Sequence, residues 1–255
     1  MADERDVSVA LLPELAAPPR LAESVAVVID VLRATTTIVH ALAAGCSCVH
    51  PCLEVEEART LADGMRAGRV LLAGERGGRL IPGFDLDNSP RRFTPRNCRG
   101  VAIVMTTTNG TRALLRCEPA ARTVIAAFVN YSAVCEQLRH DGRPVCIVCA
   151  GTDGDVTLED TLLAGALVDF LCDQGPVRLN DGARLAWDCF ETHGCCLKAA
   201  LELSQGARAL KEQGFAEDIE AAAKVDEFAL VPELRRDPLR IEVGTAGIVK
   251  SYWMK

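Results

Sequence analysis

The chain has 255 residues, 49% of them hydrophobic and 25% charged, with a net charge of −7. This suits a globular protein with an ample core and argues against a nucleic-acid partner, which usually shows as a basic face. No apolar stretch reaches the ~20 residues of a transmembrane helix, and the acidic start Met1-Ala-Asp-Glu-Arg-Asp6 lacks the basic-then-apolar order of a signal peptide, so the expectation is a cytoplasmic protein without membrane contact.

In chain order, Val7 to Leu12 reads as a strand and the proline-bearing stretch to Arg20 as its exit loop. Val25 to Asp30 is apolar, short and rich in β-branched residues, as a central strand covered on both faces should be. A helix follows from Thr35 to Ala44, then a strand from Cys46 to Cys52 and a helix from Glu54 to Ala67 that stops at Gly68. Val70 to Ala73 is a strand ending in Gly74-Glu-Arg-Gly-Gly78. Residues 79–100 hold Pro82, Gly83, Pro90 and Pro95 and show no sustained period. They read as a long loop with one turn of helix, anchored by Phe84, Leu86 and Phe93 as an ordered lid or site wall.

Strand and helix then alternate: Val101 to Thr106, Gly110 to Cys117, Thr123 to Phe128, Tyr131 to His140, Val145 to Ala150 and Leu158 to Asp173. This spacing predicts a three-layer α/β/α fold with a mainly parallel, mixed sheet. Residues 181–224 are helical throughout, with breaks near Gly194, Gly206 and Gly214, and read as a helical subdomain or insertion within one domain spanning 1–255. Phe228 to Val231 and Ile241 to Trp253 read as closing strands, antiparallel at an edge.

Three apolar runs end in the same kind of turn. Val25–Ile29 leads into Asp30-Val-Leu-Arg33-Ala-Thr35-Thr36-Thr37, Val101–Met105 into Thr106-Thr107-Thr108-Asn109-Gly110-Thr111, and Val145–Ala150 into Gly151-Thr-Asp153-Gly-Asp155. Each turn opens a helix, so N–H groups and hydroxyls gather at strand ends, where open α/β sheets bind ligands and helix N-termini favour anions. Thr35, Thr36, Thr107, Thr108, Asn109, Gly110, Thr111 and Gly151 are therefore candidate contacts to a small anionic substrate.

Asp30 and Glu75 each end an apolar strand, where a carboxylate is costly to bury unless it is paired or metal-bound. If the two strands are neighbours, both acids point into one crevice and suit a hard cation such as Mg²⁺. Structural ion pairs also gather at strand ends, so that reading stays open. Thr157-Leu-Glu159-Asp160 fits a capping box, with Glu159 and Asp160 as alternative metal ligands. Of the arginines around the expected crevice, Arg33 and Arg76 abut strand ends and are the candidates for holding an anion.

The twelve cysteines mostly sit in apolar runs, as reduced core thiols do. Cys46, Cys48, His50 and Cys52 would share one face of a strand, yet no second cluster accompanies them to complete a finger-like zinc site. No nucleophilic Ser-His-Asp or Cys-His constellation, phosphate-loop lysine motif or Rossmann glycine fingerprint is present. Asp30 stands where aspartyl-phosphate phosphatases carry their nucleophile, but the second aspartate two residues on is replaced by Leu32.

Four linked blocks resemble the 2-phosphosulfolactate phosphatase family: Ile29 to Ile38, Gly74 to Gly77 with Gly83 to Pro90, Thr106 to Thr111, and Ala150-Gly151 with Leu158 to Asp160. The resemblance implies a Mg²⁺-dependent phosphatase acting on 2-phospho-3-sulfolactate or a similar 2-phospho acid, a step in coenzyme M biosynthesis. Asp30, Arg33 and Glu75 would carry the chemistry, and Asp30, Glu75, Glu159 and Asp160 would bind metal. A homo-oligomer is compatible with it. The family usually has Gly where Asp87 stands, which adds a negative charge near an anion site. The competing class is a non-catalytic module that binds a small phosphorylated or sulfonated acid.

Overall fold

The computed structural model describes residues 4–65, 68–244 and 252–253. The first half of the chain builds β1 (Arg5–Ala10), α1 (Pro18–Ala22), β2 (Val25–Ile29), α2 (Ala34–Ala43), β3 (Cys48–Pro51) and α3 (Val55–Gly64). Next come β4 (Val70–Arg76), β5 (Arg79–Leu80), α4 (Pro95–Cys98), β6 (Ala102–Thr106), α5 (Gly110–Arg116) and β7 (Arg122–Ala126). The remainder forms α6 (Tyr131–His140), β8 (Val145–Cys149), α7 (Leu158–Gln174), β9 (Val177–Leu179), α8 (Asp181–His193), α9 (Leu197–Glu202), α10 (Gln205–Glu212), α11 (Ala216–Ala222), β10 (Pro232–Arg236) and β11 (Leu239–Val243).

All strands join one mixed sheet in the order β5-β4-β6-β3-β11-β10-β7-β2-β8-β1-β9. Every residue of β2 and β8 is buried, because helices cover both faces. Alternation sorts their side chains. Val25, Val27 and Ile29 join a core with α6, α7 and the helices from α8 to α11. Ala26 and Val28 face a second core with Ile38 and Leu42 of α2 and Leu114 of α5. The helices over 181–222 thus bury Ala183, Leu201, Leu210 and Ile219 in the same core as β2.

The sheet consists of two parallel blocks separated by the β10–β11 hairpin. β4, β6 and β3 run parallel, and so do β7, β2, β8, β1 and β9. The hairpin pairs antiparallel to β3 on one side and β7 on the other, through a single residue pair each. Three antiparallel steps give the two blocks opposite nominal sense. Twist accumulates to roughly 100–125° over the five steps from β6 to β2, at about 20–25° a step. That rotation swings the carboxyl ends of both blocks towards one region, and the site lies there.

Several expectations change. Phe228 to Val231 is not a strand: Phe228 hydrogen-bonds Val129 O and stacks edge-on against His40, and the ladder starts only at Pro232. The charged β10, Pro-Glu-Leu-Arg-Arg, hides its role behind its polarity. The last strand runs from Leu239 to Val243, and Tyr252 and Trp253 lie outside it; the rest of the expected span to Trp253 is outside the described residues. The break placed at Gly206 falls at Leu203–Ser204, where Ser204 Oγ accepts from Ala207 N and caps α10. α3 ends at Gly64, and Ala67 lies outside the described residues. Short β9 escaped notice altogether.

Residues 79–100 are ordered as expected, with α4 as the helical turn and Phe84 and Phe93 buried. No described helix is long and apolar enough to cross a membrane.

Candidate active site

The carboxyl ends of β2, β4 and β6 and the start of α10 enclose an open cavity of about 240 Å³. Asp30, Arg33, Glu75, Asn88, Thr108, Asn109, Gly206 and Gln213 are among its lining residues. Asp30 and Glu75 meet although their strands are not neighbours; β6, β3, β11, β10 and β7 stand between them. The crevice does not depend on strand adjacency.

Asp30 sits at the mouth of α2. Its Oδ1 accepts from Ala34 N at 3.0 Å, and its backbone is closed into a tight turn by Thr35, whose Oγ1 donates to Asp30 O and accepts from Asp30 N. The other oxygen, Oδ2, accepts no hydrogen bond from the described residues and lies against Gly110, where an added Cβ would come within 2.6 Å of it. Only glycine lets α5 approach the carboxylate so closely. Burial pushes the Asp30 carboxyl up to about 7; Glu75 and Glu159 add to the rise, while the Ala34 N–H and Arg33 oppose it.

The other carboxylates occupy the very N–H clusters that the sequence offers to a substrate. Glu75 Oε1 accepts from Thr108 N at 2.8 Å and Oε2 from Gly78 N at 2.7 Å. Asp160 Oδ1 accepts from Val31 N at 2.8 Å and Oδ2 from Gly151 N at 3.1 Å. Burial first, then Asp30 and Glu159, drive the Asp160 carboxyl well above its usual range. Glu159 is also raised by burial, and its Oε2 has no hydrogen-bond partner. Gly206 covers it: an added Cβ there would stand 2.5 Å from Glu159 Oε1.

The capping box expected at Thr157 is absent. Thr157 precedes α7, but its hydroxyl is buried and unpartnered, and Asp160 reaches across to β2 and β8 instead.

Arg33 is 4% exposed. Its Nη1 donates to Asp218 at 2.7 Å and its Nη2 to Gly78 O at 3.3 Å, with the guanidinium carbon 4.5 Å from the centre of the Phe215 ring.

The threonines divide into two groups. Thr35 and Thr36 are fully buried and spend their hydroxyls on Asp30 O and Val31 O, so they form the wall behind the cavity. Thr107 and Thr111 bond one another. The Thr108 hydroxyl is unpartnered, and Thr108 and Asn109 line the cavity. Gly151 lies behind it, as a donor to Asp160.

Arg76 lies across the Thr107–Thr108 turn. It donates to Glu75 O, Leu53 O and Thr106 Oγ1, and with Leu53, Glu54, Thr107, Thr108 and Arg112 it lines a second cavity of about 170 Å³. Asp87 is outside both cavities, with Oδ1 accepting from Ser89 N.

Among the described residues, no three of His, Cys, Asp or Glu are grouped to hold a metal ion. This covers the Cys46–Cys52 stretch, where Cys48 Sγ instead contacts His50 Nε2 at 3.3 Å. It also means that Asp30, Glu75, Glu159 and Asp160 are not one preformed coordination shell, since Glu75 and Asp160 spend both oxygens on N–H groups.

Sequence reasoning missed Phe215, Asp218 and Ser89. Ser89 belongs to the block Gly83 to Pro90, which the family resemblance had marked. The other two, Phe215 and Asp218, carry no local signal on a charged helix.

Carboxylates and one fixed arginine around an open cavity at strand ends are what an enzyme site for a small polar substrate needs. A family model described as 2-phosphosulpholactate phosphatase matches residues 10–237. A probable 2-phosphosulfolactate phosphatase of Symbiobacterium thermophilum is 42% identical over 218 residues, covering 84% of this chain and 94% of its own. Those of Thermotoga petrophila and Caldanaerobacter subterraneus subsp. tengcongensis are 43% identical over 209 residues (82% and 88%) and 37% identical over 220 residues (86% and 91%). The chain belongs to the 2-phosphosulfolactate phosphatase family and is a phosphoric monoester hydrolase.

Proposed function

We propose that the chain hydrolyses 2-phospho-3-sulfolactate, or a similar 2-phospho acid, to the hydroxy acid and phosphate in a Mg²⁺-dependent reaction. The observation that carries this reading is the excess of buried carboxylates beside the cavity. A phosphate dianion approaching Asp30 and Glu75 meets like charge, and Arg33 alone does not balance it.

The residues present fit a magnesium ion. Mg²⁺ keeps several waters and usually takes one or two carboxylates plus phosphate oxygens, so it does not require a preformed cage. Asp30, with Oδ2 free, and Glu159, with Oε2 unpartnered, are the residues that would hold it. When bound, the ion would neutralise phosphoryl charge and lower the pKa of a coordinated water.

The chain's own residues do the rest. Arg33, fixed on two sides, presents a guanidinium to the phosphoryl oxygens and stabilises charge developing in transfer. The Thr108 hydroxyl and the Asn109 amide offer further polar contacts. Asp30, its Oδ1 fixed by the Ala34 N–H, keeps Oδ2 free and as a carboxylate would hold the ion. Glu75 holds the Gly78 and Thr108 N–H groups and so fixes two walls of the cavity.

The smaller cavity across the Thr107–Thr108 turn carries Arg76 and Arg112 and supports a preference for substrates with a second anionic group. Phosphate release from phosphosulfolactate, with Mg²⁺ and then with EDTA, tests the class; full turnover in EDTA removes the metal. Arg76→Ala should erode the preference for phosphosulfolactate more than it slows a generic aryl phosphate. Equal specificity constants for phosphosulfolactate and a neutral-tailed ester in the parent enzyme would remove the tail pocket.

A further inference from the structure

Arg33 and Asp218 are 185 positions apart in sequence and form a buried ion pair at 2.7 Å, their side chains 3% and 2% exposed. Asp218 uses both oxygens: Oδ2 accepts from Arg33 Nη1, and Oδ1 accepts from Ser89 Oγ at 2.6 Å. Phe215, the N-cap residue of the helix that carries Asp218, stacks on the guanidinium. Ser89 belongs to the ordered segment whose Asn88 lines the cavity, and Asn88 O accepts from Thr37 Oγ1 of α2. Three segments far apart in sequence therefore converge on one arginine.

We infer that Asp218 is a positioning residue for the phosphatase reaction, holding Arg33 in the place where it meets the phosphoryl group, with Ser89 orienting the Asp218 carboxylate. The inference rests on the functional reading above.

The physical need is specific to this cavity. Arg33 is a long, cationic side chain bordered by Asp30 and Glu75, and Asp30 is within range to feel its charge. An untethered guanidinium would fold onto Asp30, and both groups would then be spent on each other. Asp218 offers a competing carboxylate on the far side, dry and pre-oriented by Ser89. Gly78 O takes the second Nη, and the Phe215 ring blocks one face. The planar fork is thus held at both Nη atoms, leaving the N–H groups these two bonds do not use for a ligand. A buried pair of this kind is weak evidence for stability, but it serves well to fix a geometry.

A double-mutant cycle separates positioning from mere structure. Asp218→Asn keeps the side-chain shape, and Arg33→Met keeps an unbranched apolar stem and removes the guanidinium. In the parent enzyme, Asp218→Asn should lower kcat/KM for phosphosulfolactate by about 10–100-fold, mainly in kcat, as a misplaced catalytic contact does. In the Arg33→Met background the same change should cost less than about twofold, because nothing is left to position. The Kd for inorganic phosphate, measured by calorimetry, should show the same non-additivity.

Unchanged turnover in Asp218→Asn overturns the inference, and so does an equal loss in both backgrounds. Should Asp218→Asn fail to fold, Ser89→Ala replaces it. A loss of about two- to fivefold that vanishes with Arg33→Met supports positioning, and a loss that persists overturns it. A parent enzyme that binds phosphate but never releases it from the ester sinks the phosphatase reading alone. The phosphate-binding cycle then decides for Asp218: coupling upholds it and additivity overturns it.

Discussion

The turns after β2 and β6 look alike in sequence, each a threonine run leading into a helix, yet they do different work. After β2 the threonines fold back on their own backbone, and Asp30 and Arg33 face the cavity. After β6, Thr107 and Thr111 lock the turn, while Thr108 and Asn109 line the cavity, the Thr108 hydroxyl buried there without a partner among the described residues. Hydroxyl-rich turns are scaffolds first. Whether one also contacts a ligand depends on which polar groups the local turn leaves unused.

The sharpest way to break this comparison is to disarm Asp30, in the first turn, and Glu75, the β4 carboxylate that holds the second through Thr108 N. Asp30→Asn should cost on the order of 10³-fold in kcat, because it removes a charged oxygen that would hold the ion, whose charge stabilisation is worth several kcal/mol. Glu75→Gln should cost roughly 10–100-fold through misplacement of the cavity wall. Either variant at near-parental turnover, with a cooperative melt, would make that residue a structural carboxylate.

A second prediction uses the carboxylate cluster. The folded-state pKa of Asp30 is raised by burial and by Glu75 and Glu159, and Asp160 and Glu159 shift in the same direction. Between about pH 4 and 7 the folded chain therefore keeps a proton that the unfolded chain has lost. Stability should fall as pH rises through that window, by a few kcal/mol at most, and then level off. Thermal unfolding should show a higher Tm near pH 5.5 than near pH 8. Asp30→Asn should flatten that slope, and Mg²⁺ should raise the Tm at pH 8 in the parent but not in Asp30→Asn. A Tm that climbs steadily from pH 5.5 to 8 would contradict the cluster.

Smaller effects separate scaffold from contact. Thr35→Val should cost about 1–3 kcal/mol in stability, because it strips a buried N–H of its acceptor, and should leave turnover per folded molecule much less affected. Thr108→Val should do the reverse, with roughly tenfold lower kcat/KM and an unchanged melt. Reversed outcomes would reverse the roles assigned to the two turns. Cys46→Ser, in a buried thiol outside both cavities, should be nearly silent in kcat. Urea titration will show what the buried hydroxyl costs.

Much of this was legible locally. β2, β6 and β8 and the helices after them follow from apolar runs and turn residues, and Asp30, Arg33 and Glu75 do line one cavity. What local pattern cannot carry is pairing. Nothing near Glu75 says that its two oxygens will meet Thr108 and Gly78 N–H groups, or that Asp160 will fill the turns at Val31 and Gly151. Asp218 was invisible because its partner is 185 residues away. β10 was invisible because Glu233, buried among arginines, makes a central strand look like a loop.

The hairpin also bears on the order of assembly. All the residues around the main cavity precede Val231, yet the two blocks that carry them share no direct ladder; among the described strands, β10 and β11 alone join the two into one sheet. A nascent chain that has emerged as far as α11 holds the cavity's residues on two sets of strands with no ladder between them. Closure awaits twelve later residues, 232–243, which must slot between strands made long before them. Such late, long-range pairing is slow and leaves strand edges bare meanwhile, so chaperone demand in this protein should concentrate on the interval just before that hairpin docks.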